Sequence, residues 1–80
     1  MITPEEAEAL AHTAVEAFIN RCGCKSIDDV GNVLMKLVSM TGLALCATQG
    51  QEKAVDIIEG VAAHVAKPKY AKAARMERVN

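Results

Sequence analysis

The sequence has no tryptophan, one phenylalanine (Phe18), one tyrosine (Tyr70) and two prolines (Pro4 and Pro68) in 80 residues. Aromatic side chains are the largest anchors of small cores, burying roughly 150–250 Å² each. Without them the core has to be built from aliphatic side chains. Alanine accounts for 14 of the 41 apolar residues and cysteine for 3, so only 24 larger apolar side chains remain. One thin-cored domain is the most that this chain can form. Charge of one sign is also lacking: the formal net charge is −1 with 24% charged residues, which excludes a self-repelling disordered chain. No basic stretch precedes the first apolar run, where Glu5, Glu6 and Glu8 stand instead, so no secretory leader is expected. Between positions 30 and 51 the only charge is Lys36, yet the uncharged run 37–51 contains Ser39, Thr41, Thr48 and Gln49. It falls short of the ~20 apolar residues of a membrane span, and no membrane contact is expected. Three cysteines with no export signal are expected to be reduced, in a cytoplasmic protein. No glycine-rich phosphate loop, metalloprotease helix or dinucleotide fingerprint occurs.

What the chain does contain is helix punctuation. Thr3, Pro4 and Glu6 have the spacing of an N-cap, an N1 proline and the acid of a capping box. Ala7, Leu10, Ala11, Ala14, Val15, Phe18 and Ile19 then recur at helical spacing along one side. Gly23 follows as a left-handed terminator, predicting a first helix over 4–21. Ser26, with Asp28 and Asp29 in the next turn, starts a second helix over 27–48, joined by a loop short enough to make the two neighbours. That second helix is apolar nearly all round: Ile27, Val30, Val33, Leu34, Leu37, Val38, Met40, Leu43, Leu45 and Cys46 do not fit one face. Gly42 in its interior costs about 1 kcal/mol relative to alanine, which points to close approach of a neighbouring backbone or to a kink. Thr48, Gln49 and Gly50 are expected to form a turn. A third helix over 51–66 carries the stripe Ala54, Val55, Ile57, Ile58, Val61, Ala62 and Val65 and is expected to pack on the other two. Pro68 ends it.

The fold class is therefore all-α: a three-helix domain over 1–67 and a basic C-terminal tail over 68–80. Counting from Lys67, the last 14 residues hold Lys67, Lys69, Lys72, Arg75 and Arg78 against Glu77 (+4), whereas positions 1–66 hold nine acids and four bases (−5). An acidic body with a basic end suits either an acidic partner or self-association. The all-round apolar second helix exceeds what two short neighbours can cover, so a homodimer is expected, with Leu34, Leu37, Val38, Met40 and Leu45 at its interface.

Candidate chemistry is sparse. Cys22 and Cys24 form a single Cys-Gly-Cys, with His12, His64 and Cys46 too scattered to complete a metal set, and so close a pair strains a disulfide. Ser39, Cys46 and His64 have no spacing that suggests a nucleophile and its base. Asp28 and Asp29 serve the helix start. No catalytic residue, metal or cofactor is expected, and the chain reads as a non-enzymatic interaction module that binds or modulates another protein. The exposed side of the first helix, with Glu5, Glu8, His12 and Glu16, and the tail residues Lys67, Lys69, Tyr70, Lys72, Arg75 and Arg78 are the surfaces for a partner. The alternative is a weak nucleic-acid-associated protein whose tail contacts phosphates and stacks Tyr70 on a base.

Overall fold

A computed structural model describes residues 1–73 of the chain, with side chains to Ala71. Three long helices follow one another, α1 (Pro4–Cys22), α2 (Ile27–Gln49) and α3 (Gln51–Val65), and then a four-residue turn of helix, α4 (Tyr70–Ala73). Among the described residues there is no strand. The fold is all-helical, as the punctuation implies.

The first two helices start where their caps dictate. The Thr3 hydroxyl accepts from the Glu6 amide at 3.1 Å, and the Glu6 carboxylate accepts from the Thr3 amide at 2.8 Å, closing the capping box. Ser26 Oγ accepts from the Asp29 amide at 3.0 Å. Asp29 in turn reaches back past the cap and accepts from the Lys25 amide at 2.9 Å, which tethers the α1–α2 loop. Gly23 ends α1 in the left-handed conformation, φ 68° and ψ 37°, a geometry that costs glycine nothing.

The turn expected at 48–50 is shorter than its composition implies. Thr48 and Gln49 stay in α2, and only Gly50 breaks the helix. Thr48 remains helical because its hydroxyl donates back to the Ala44 carbonyl at 2.9 Å, so its polarity is satisfied within the helix. Gly50 has φ 89° and ψ 152°, a region essentially confined to glycine. Its amide donates to the Cys46 carbonyl, and its carbonyl accepts from the Ala54 amide. One residue thus serves as the end of α2 and the beginning of α3.

A β-carbon built on Gly42 would lie 3.3 Å from Ile58 Cδ1. The close neighbour expected at Gly42 is therefore a side chain of α3 rather than a backbone. Gly42 and Ile58 both lie eight residues from Gly50, so α3 folds back along α2. The core sits at the two corners of the chain. Val30, near the start of α2, and Ala54, in the first turn of α3, are buried. Val15, Phe18 and Ile19 of α1, and Val33, Leu34, Leu37 and Leu45 of α2, are half-buried around them. The third helix was expected to pack on the other two. Instead its main packing is on α2, and Val61 and Val65 stand exposed.

Candidate interaction surface

On α2, residues at helical spacing from the buried Val30 (Leu34, Leu37 and Leu45) turn toward the rest of the chain and are half-buried. The remaining large side chains do not. Met35, Val38, Met40 and Leu43 are 60–62% exposed. At 100° per residue, Met35 and Val38 fall on one side of the helix and Met40 and Leu43 on roughly the opposite side. Of the five interface candidates, Val38 and Met40 are thus open to solvent, while Leu34, Leu37 and Leu45 are shared with the chain's own packing. Met35 and Leu43 are apolar surface that the sequence pattern did not single out as interface. Subtracting the Val30 periodicity from the apolar list of α2 is the signal that isolates them.

The open surface continues on the other helices. Leu10 of α1 is exposed, as are Val55, Ile58, Val61 and Val65 of α3. The whole chain presents 6969 Å² of accessible surface, where a compact globule of 8.5 kDa presents about 4,700 Å². Residues 74–80 would supply no more than about 1,300 Å² of that excess even when fully extended. At least about 1,000 Å² of surface is therefore surplus to a closed monomer. The radius of gyration, 14.2 Å, likewise exceeds the roughly 11.6 Å of a compact domain of this length.

Polar features border this surface. An open hollow of about 610 Å³ runs along α1, lined by Glu5, Glu8, Ala9, Ala11, His12 and Val15. All six belong to one helix, so the hollow has no facing wall. Its rim is acidic and its floor is small and apolar. His12 Nε2 lies 3.5 Å from Glu16 Oε2, one turn along, with both side chains in solvent. The Glu6 carboxyl is held below the usual carboxylate range by the backbone and hydroxyl hydrogen bonds of Thr3.

At the other end of the molecule, Tyr70 folds back onto the last turn of α3. Its hydroxyl lies 3.1 Å from His64 Nε2, the two rings are 5.2 Å apart, and Lys69 Nζ sits 5.1 Å from the Tyr70 ring centre. Tyr70 is half-buried by these contacts, and Lys67 and Lys69 are exposed beside it. The structure brings Lys69 onto Tyr70, with Lys67 exposed in the same turn. Lys72 belongs to the α4 turn, and Arg75 and Arg78 lie outside the described residues.

The three cysteines are free, with Cys22 exposed and Cys24 and Cys46 half-buried. Desolvation, followed by the nearby Cys22 and Asp29 charges, pushes the Cys24 thiol up. Among the described residues no group of three or more His, Cys, Asp or Glu side chains is arranged to hold a metal ion.

The uncharged run 37–51 was expected to fall short of a membrane span, but the helix α2 that contains most of it is, by length and composition, long and apolar enough to cross one, with 23 residues and a mean hydropathy of 1.6 over its most apolar window. Compared with family models, with curated proteins and with solved structures, the chain matches none.

Proposed function

We propose that this chain is a non-enzymatic helical interaction module that assembles as a homodimer and binds another protein through apolar helix surface. The observation that carries this reading is the open apolar surface of α2 in a single chain. The surplus of at least about 1,000 Å² is comparable to the roughly 800 Å² that each partner contributes to a stable interface. Large apolar side chains left in solvent together on one helix mark a contact site with protein or lipid. The pairing of Ile58 with Gly42 favours protein. A bilayer around α2 would draw the α3 charges Glu52, Lys53, Asp56 and Glu59 into hydrocarbon, at a cost of several kcal/mol. Apolar residues on opposite sides of α2 support more than one contact: a second copy covering one side leaves the other to a different protein.

Sedimentation equilibrium at micromolar concentration tests the assembly, with a dimer of twice 8.5 kDa as the expected result. A purely monomeric species that still unfolds cooperatively overturns the proposal. The exposed Lys67 and Lys69 favour a second reading, contact with nucleic acid. A DNA or RNA mobility shift that fades steeply with salt and is lost on deleting 68–80 selects that reading instead.

A further inference from the structure

On the line Ala54, Ile58, Val61 and Val65 of α3, exposure rises with distance from the Gly50 corner, from 0% through 38% and 56% to 61%, while Val55 at its flank is already 46% exposed. The facing side of α2 follows the same course, from half-buried Gly42 to Val38 at 61% and Met35 at 60%. Gly42, Val38 and Met35 follow at intervals of four and three on one face of α2, and Ile58, Val61 and Val65 do the same on α3. These are therefore two matched faces that meet near the corner and part beyond it. Gly42 and Ile58 lie about 12 Å out from the corner along their helices, where helices in contact have axes at least ~8 Å apart. Beyond Gly42 and Ile58 the exposure of Val38, Met35, Val61 and Val65 leaves these faces without cover from each other, so the open end of the pair presents apolar surface on which one more helix can pack.

We propose that the occupant is the N-terminal half of α1 from a second copy of the chain, exchanged reciprocally. This inference rests on the homodimer proposed above and assigns its contact faces. That half of α1 has an apolar stripe of its own without cover, with Ala7, Leu10, Ala11 and Ala14 all exposed. Three alanines around one leucine make a narrow helix face that packs closely on such a surface. Charge complements shape: Glu6 and Glu8 flank that stripe at the start of α1, and no lysine or arginine occurs in the helix before Arg21, Glu5 and His12 lying on its outer side. Lys67 and Lys69 directly follow Val65 at the open end. Seating α1 against α2 and α3 of the other copy brings acids and bases together at the rim over an apolar interior. The opposite side of α2, with Met40 and Leu43, remains free.

Reciprocal charge reversal tests the exchange. Expected results are that Glu8→Lys, and separately Lys67→Glu with Lys69→Glu, each weaken self-association at least tenfold in sedimentation. Mixing the two variants should restore a heterodimer, because position 8 of each α1 then meets a rim of opposite sign again. All three positions are exposed, and helical circular dichroism checks that each variant folds. Leu10→Asp and Val61→Asp should also weaken the dimer tenfold or more, whereas Met40→Asp should leave its dissociation constant within about threefold. A dimer that resists both reversals but dissociates on Met40→Asp overturns the exchange and leaves the homodimer standing. A chain that is monomeric before any substitution overturns both.

Discussion

Two single residues set where this chain bends. Gly23 uses the left-handed region, which asparagine can also occupy. Gly50 occupies a region essentially closed to side chains, while carrying hydrogen bonds for the end of one helix and the start of the next. Gly50→Ala is therefore expected to destabilise the protein by about 1–3 kcal/mol, measured as a lower urea midpoint. Gly60 is the opposite case. It lies in the interior of α3 on the side away from the stripe, and a β-carbon there meets nothing within 4 Å. Gly60→Ala should raise stability by about 0.5–1 kcal/mol through helix propensity alone, and the same urea titration checks it. Gly42 falls between these cases, because a β-carbon there gains propensity but crowds Ile58 Cδ1.

At the scale of the element, the start of α1 is held by a reciprocal pair of hydrogen bonds that depends on the Glu6 carboxylate. Because the folded state holds that carboxyl below its unfolded value, its contribution is fully present above the unfolded pKa. It disappears as pH falls through the folded pKa. Helicity at 222 nm should therefore decline on acidification as Glu6 takes up its proton. Thr3→Ala should lower stability by about 1 kcal/mol, as is typical of a lost N-cap, and should flatten that part of the pH profile. Element boundaries were legible in the sequence for this same reason. Thr3, Ser26 and Gly23 act within one turn of their own position, so residue type and spacing reveal them. Thr48 was the exception: a hydroxyl after an apolar run resembles a turn signal, and its back-bond to Ala44 depends on a rotamer that spacing does not express.

For the molecule as a whole, the decisive quantity is how little of the chain is closed. Buried apolar residues cluster at the corners, and the far ends of α1 and α3 carry exposed stripes. If a second copy covers this surface, stability is coupled to concentration by mass action. The thermal midpoint should then climb as the protein is concentrated from about 1 to 100 μM, by several degrees for a domain of this size. A midpoint that stays constant over that range counts against assembly. Of the candidate site, the sequence made legible that α2 has more apolar surface than its own chain shelters. Its periodicity also separates Leu34, Leu37 and Leu45 from Val38 and Met40, once Val30 is known to be the buried reference.

The sequence by itself determined the helices, the caps at Thr3 and Ser26 and the glycine stop at Gly23, because these depend on groups three or four residues apart, whereas the break between α2 and α3 proved shorter than its composition implied. It also determined the stripes, since Ala54, Ile58, Val61 and Val65 share a face in any α-helix. Only the tertiary structure decided which parts of those stripes are covered. Cover depends on the angle at which α3 leaves Gly50 and on how far α1 follows α2, and small rotations at a corner become ångströms of separation fifteen residues away. For that reason Ala54 and Val65, equivalent in pattern, end up at 0% and 61% exposure.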